Sequence, residues 1–200
     1  MASTRLELNA LDFGRKLTLS EFDEAEFAPG FHYEIIEGKL YVSPQSTLPE
    51  YILQMWMRDK LIQYGRSCPS VIGSVAEKAR VFVADSKRAT VPEPDLAIYS
   101  PFEYKSIREL RWQDHSPFLI VEVLVGGSIH KDMTRNAELY LRLKPIREYW
   151  ILNGSESPDE PTLIVHTRRG KSWTVAHYPY GSTYATKLLP GFSLLIDPRK

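Results

Sequence analysis

Cysteine is nearly absent. The single Cys68 in 200 residues allows no internal disulfide and no paired-cysteine metal spacing, so zinc-finger readings fall and a reducing, cytoplasmic compartment is expected. Net charge is missing as well: 25 Lys and Arg balance 25 Asp and Glu. That excludes a basic coat, and any contact with nucleic acid must come from a local patch of cations able to reach phosphate. Long apolar runs are also lacking. The most hydrophobic stretch, FLIVEVLV at 118–125, falls far short of the ~20 residues that cross a bilayer and is broken by Glu122. The first 26 residues carry Glu7, Asp12, Glu21, Asp23, Glu24 and Glu26 with no apolar block, so neither a signal peptide nor membrane attachment is expected. There is no internal repeat. With 43% hydrophobic and 25% charged residues, the composition is that of one ordinary globular domain.

Periodicity supplies the elements. An acidic lead-in at 17–28 has helical character and stops at Pro29-Gly30. HYEIIEGKLYV at 32–42 alternates around Glu37-Gly38 and predicts a β-hairpin. Leu53, Trp56, Met57, Leu61 and Tyr64 form the stripe of an amphipathic helix over about 49–65. Residues 71–84 are rich in valine and predict one or two strands, and VPEPD at 91–95 must run extended into a short strand at 95–99. A loop with a helical turn at most fills 100–116. FLIVEVLV then suits a central strand buried on both faces. Met133, Asn136, Ala137, Tyr140 and Leu141 mark a second helix ending near Leu143, before Pro145. EYWIL at 148–152 is a further strand, 162–178 a hairpin about Arg169-Gly170, and LPGFSLLI a last edge element. The order gives a mixed sheet with helices against it, an α/β (α+β) fold.

Two carboxylates stand out. Glu122 lies inside the most apolar strand, where an unpaired charge costs several kcal/mol. It shares a strand face with Ile120 and Leu124, while Val121 and Val123 take the other. A buried salt bridge or an edge position would explain it structurally. Asp95 follows Pro92-Glu93-Pro94, where a solvated turn Asp is the ordinary reading. If their strands pair, both acids face one cavity, and two hard-oxygen ligands with a backbone carbonyl and waters make a Mg²⁺ or Mn²⁺ site. The five histidines show no metalloprotease spacing, and no G-x-S-x-G or P-loop occurs.

The proline-led Asp95, the FLIVEVL strand, the next helix with Tyr140, the REYWILN strand, the YEIIEGKLYV hairpin and the late LPGF together resemble the Uma2 (DUF820) family of the PD-(D/E)XK nuclease superfamily. The resemblance spans about 18–197, which leaves 1–17 as a tail to a single domain with a restriction-endonuclease-like core and added β-hairpins. It implies a Mg²⁺- or Mn²⁺-dependent endonuclease in which Asp95, Glu122 and the Val123 carbonyl hold the metal. Glu34 matches a family glutamate that lines the same site, although an exposed hairpin position explains it equally well. Nucleic acid, most naturally DNA, is the implied partner.

The sequence also departs from that pattern. The superfamily lysine belongs two residues after the second acid, where Leu124 stands, or on the following helix, where Asn136 stands. Ser-Pro-Ser-Thr after the acid strand is replaced by Val125-Gly126-Gly127-Ser128. Helical spacing turns Arg135 and Arg142 toward solvent. Lys131, at the helix start, can reach back as a substitute cation, or it is an exposed first-turn lysine. Residues 131–147 carry a net +3 from Lys131, Arg135, Arg142, Lys144 and Arg147 against Asp132 and Glu138, a phosphate-binding face or simply a solvated helix. His130 lies near the expected site. Three functional classes remain: an endonuclease impaired by Asn136, an inactive nuclease fold that binds nucleic acid or a protein, and a structural homodimer.

Overall fold

The computed structural model describes residues 5–83, 88–126 and 131–200, the side chains of 131–133 excepted. Capping boxes start the first two α-helices. Thr18 accepts from the Glu21 N–H while the Glu21 carboxylate accepts the Thr18 N–H, opening α1 (Leu19–Glu24). Thr47 and Glu50 do the same for α2 (Leu48–Ser67), with Pro49 in its first turn. By its internal contacts the chain groups into two compact units, Met1–Ser46 with Arg80–Glu93, and Thr47–Ala79 with Pro94–Lys200.

In the first unit, β1 (Glu7–Leu8) pairs in parallel with β2 (Glu26–Phe27). The expected hairpin is formed by β3 (Phe31–Ile36) and β4 (Lys39–Pro44). Its turn residues Glu37 and Gly38 both have positive φ, 51° and 72°, the type I′ geometry that matches strand twist. Leu8, Leu17, Phe22, Tyr33, Ile35, Leu40 and Val91 form a core, so residues before 18 contribute buried side chains to this unit. Arg80 lies 4.6 Å over the Phe22 ring and pairs with Asp23 and Glu93.

The second unit is built on six strands: β5 (Ser74–Glu77), β6 (Leu96–Tyr99), β7 (Leu119–Leu124), β8 (Glu148–Asn153), β9 (Thr162–Arg169) and β10 (Ser172–Tyr178), in spatial order β10-β9-β8-β7-β6-β5. Only β7 and β8 run parallel; the other neighbours are antiparallel. The architecture is the α+β mixed sheet expected. Every residue of β7 is buried, as its unbroken apolar pattern requires. Leu53, Met57 and Leu61 of α2 pack on the face carrying Leu119, Val121, Val123 and Trp150, and the opposite face carries Glu122. β11 (Thr183–Ala185) and β12 (Ser193–Leu195) form a separate two-stranded sheet, so LPGF leads into a hairpin partner rather than an edge of the main sheet.

Two further expectations change in detail. Within 71–84 only Ser74–Glu77 is strand; Lys78 takes a left-handed φ of 48° and ends the ladder, and residue 84 lies outside the described residues. The second helix opens as a π-helical turn, Lys131–Asn136, before α3 (Ala137–Arg142). A wider turn shifts side chains off the 100° spacing that the sequence pattern assumes.

Arg168 on β9 closes α3. Its guanidinium donates to the carbonyls of Tyr140, Leu141, Leu143 and Ile146 at 2.5–3.0 Å and stacks 4.8 Å over Trp173, supplying partners that a helix end lacks. Arg168→Ala should therefore lower unfolding free energy by about 3 kcal/mol in a urea titration. Arg168→Lys should recover little of that loss, since an ammonium cannot span four carbonyls.

Candidate active site

Register decides whether the two acids meet. Leu96 pairs with Val121 as the last step of the β6–β7 ladder, so one residue further on Asp95 stands opposite Glu122. Directly opposed residues of antiparallel strands share a face, and the contacts agree. The Asp95 N–H donates to Glu122 Oε2 at 3.1 Å, and the Val123 N–H donates to Asp95 Oδ2 at 2.6 Å. Prolines 92 and 94 lack the N–H groups that would carry the ladder on, so side-chain oxygens replace it. Asp95 and Glu122 are 4% and 8% exposed.

Helix α3 and the π-turn complete the carboxylate's surroundings. Glu122 Oε1 accepts from Tyr140 Oη at 3.0 Å and from Asn136 Nδ2 at 3.2 Å. Asn136 Oδ1 in turn accepts from Nε and Nη2 of Arg135, at 3.0 and 2.8 Å. Arg135 thus turns inward, against the solvent-facing position expected of it, because the π-turn rotates its side chain onto Asn136. Among the described residues its guanidinium connects to Glu122 through the Asn136 amide.

A lysine that the sequence reading passed over is bound to the acid pair. Glu77 pairs with Leu96 at the end of the β5–β6 ladder, which sets Lys78 opposite Asp95, with the Lys78 N–H 3.3 Å from the Asp95 carbonyl. Lys78 Nζ lies 2.5 Å from Asp95 Oδ1, the lysine side chain being 27% exposed and the aspartate 5%. Burial works against the charge on Lys78, but the adjacent Asp95, then Glu122 and Glu50, outweigh it and hold the ammonium above the ordinary lysine range. Lys78 and Asp95, one residue beyond the ends of β5 and β6, therefore make one row with Glu122 of β7. From α2, Gln54 reaches the Asp95 carbonyl and Glu77, both at 3.4 Å.

Glu34 belongs to the first unit, where its carboxylate accepts the Glu93 N–H at 2.9 Å. The side chain of Lys131 lies outside the described residues, as does His130. Trp150 is fully buried, and Trp173 donates to the Ala137 carbonyl at 2.8 Å.

A family model, Uma2, described as "putative restriction endonuclease", matches residues 19–197. The chain belongs to the Uma2 family. A crystal structure described as a putative nuclease of DUF820, from Anabaena variabilis, shares the Uma2 chain's fold with a TM-score of 0.66 and 16% identity. It matches over 90% of this chain and 95% of that one. No curated protein matches.

The donor set of this Uma2 chain suits a hard cation. Among the described residues it offers carboxylate oxygens and a strand carbonyl at Val123, with no sulfur or imidazole, and Mg²⁺ commonly takes one or two carboxylates and completes its shell with water and phosphate. Among the described residues no cluster of three or more His, Cys, Asp or Glu side chains could hold a metal, so a two-acid site is the one to test. No helix of the described residues is long and apolar enough to cross a membrane.

Proposed function

We propose that this Uma2 chain is a Mg²⁺- or Mn²⁺-dependent endonuclease that hydrolyses phosphodiester bonds of nucleic acid, with DNA as the first substrate to test. The observation that carries the reading is the pairing of Asp95 and Glu122 on one face of the sheet, at the end of the β6–β7 ladder. Asp95, Glu122 and the Val123 carbonyl would hold the metal. When bound, such an ion polarises the phosphate and lowers the pKa of its water. The protein's part is orientation. Tyr140 and Asn136 fix one Glu122 oxygen, the Asp95 N–H takes the other, and the Val123 N–H fixes Asp95. In the reaction the water oxygen would bond to phosphorus and release its proton to solvent, while the P–O bond to the leaving sugar oxygen breaks and that oxygen takes up a proton from solvent.

The assay is cleavage of linear, supercoiled and single-stranded DNA with Mg²⁺, Mn²⁺ or EDTA. Cleavage that needs the cation and disappears in Glu122→Gln supports the reading; cleavage that survives in a chain carrying both Asp95→Asn and Glu122→Gln overturns it.

A second reading has its own observation. Lys78 already neutralises Asp95, and asparagine stands where Uma2-like sequences offer a lysine. A nuclease fold that has lost turnover and binds nucleic acid or a protein would look the same. Absence of cleavage with every cation, together with DNA binding that does not depend on the acids, favours it.

A further inference from the structure

We propose that Lys78 is a charge-compensating cation of the acid pair, supplied from just beyond strand β5 rather than from position 124 or 136, and that it faces the phosphate being cleaved. The inference rests on the nuclease reading and deepens it.

Three observations point to Lys78. Its Nζ touches Asp95 Oδ1 directly, whereas among the described residues Arg135 connects to Glu122 through the Asn136 amide. It is also the most exposed member of the row, with more than a quarter of its side chain in solvent while Asp95 is buried. The Lys78 end of the row therefore lies nearer to solvent than the carboxylates do.

Third, among the described non-glycine residues only Glu37 and Lys78 have positive φ. Glu37 sits in the type I′ turn of the β3–β4 hairpin, which requires it. Lys78 sits in no such turn. Its left-handed backbone, unfavourable for a long side chain, ends β5 at the point where the side chain can cross to Asp95. The path differs from that of a lysine two residues after the acid, which would come from β7 itself, yet it delivers the same charge beside the same carboxylates.

In this role the ammonium stays protonated and moves no proton. It offsets negative charge that accumulates on the phosphate oxygens as the water oxygen bonds to phosphorus. It also opposes a divalent ion at Asp95, because two cations share one carboxylate. Removing it should therefore move two quantities in opposite directions, which a merely structural contact would not do.

The test uses the full chain. Mn²⁺ affinity is read from the electron paramagnetic resonance signal of free Mn²⁺, and DNA cleavage is measured in parallel. Lys78→Met is expected to bind Mn²⁺ severalfold more tightly and to cut about a hundredfold more slowly, and Lys78→Arg to regain part of the rate. Cleavage by Lys78→Met at the parent rate overturns the assignment and leaves the acid pair standing. Weaker Mn²⁺ binding together with slower cleavage also overturns it, since Lys78 then only holds Asp95 in place. A parent chain that does not cut, and whose Mn²⁺ binding is unchanged by Glu122→Gln, removes the nuclease reading and Lys78 with it. Should Lys78→Met melt below the assay temperature, Lys78→Gln takes its place under the same outcomes.

Discussion

Asparagine at position 95 is expected to slow Mg²⁺-dependent DNA cleavage by about a thousandfold, the scale seen when a charge-stabilising group is removed from an active site. Asp95→Asn is nearly isosteric, and its amide oxygen can still accept the Val123 N–H that Asp95 Oδ2 takes at 2.6 Å. What changes is the other atom. An NH₂ group has no lone pair for a metal and points a donor at the Lys78 ammonium, which now sits 2.5 Å from Oδ1. Lys78 can escape toward water because its side chain is partly exposed, so the loss of stability should be about 2 kcal/mol rather than that of a fully buried broken pair. Thermal melting separates the two effects: a variant that is folded at the assay temperature yet does not cut assigns the loss to chemistry. Cleavage within tenfold of the parent would contradict the role given to Asp95.

The stability part of that result also has a sign with pH. The folded-state pKa of Lys78 is raised, so its contribution is complete below the unfolded-state value near 10.5 and is lost as pH rises through the higher folded value. Between neutral pH and about 9 the Asp95–Lys78 pair should add a constant increment, and Lys78→Met should erase it evenly across that range.

Periodicity made most of the sheet legible in advance. The FLIVEVLV run suits a strand covered on both sides, and it forms β7, the strand that carries Glu122. The stripe from Leu53 to Tyr64 marked α2 because its apolar residues must meet a sheet. Asp95 and Glu122 were readable for a different reason: a carboxylate in an apolar strand needs a partner, and a proline-led Asp at the next strand's start is placed to share it.

Lys78 was not readable in the same way. Its neighbourhood, AEKARVFV, looks like continuous strand, and nothing local announces that the backbone turns left-handed at that residue. Its place opposite Asp95 follows only from the β5–β6 register, a long-range property. The inward turn of Arg135 was hidden too, because projecting side chains at 100° per residue presumes an α-helix where the chain forms a π-turn. Tyr140 was visible as a core position, but core positions and carboxylate ligands look alike in a helical stripe; its hydroxyl declares itself only once β7 lies beneath it.

Leucine at position 122 is expected to destabilise the chain by about 5 kcal/mol, the largest single stability effect argued for this site. The side chain would fit an apolar strand and suits the β7 pattern, so propensity alone predicts a gain. The cost comes from what Glu122 now satisfies: the Asp95 N–H, the Asn136 amide and the Tyr140 hydroxyl all donate to it from buried positions. Each donor left without an acceptor forfeits about 1–3 kcal/mol. Because the three share one acceptor, the costs should not add fully. Glu122→Gln keeps one acceptor oxygen and should lose about 2 kcal/mol. The discriminating step removes donors along with the acceptor. Glu122→Leu combined with Tyr140→Phe and Asn136→Leu should recover a large part of the lost stability in urea unfolding at neutral pH, since apolar replacement of both partners is nearly neutral. A Glu122→Leu chain within about 1 kcal/mol of the parent would mean that those donors find other acceptors, and that Glu122 is held for metal binding alone.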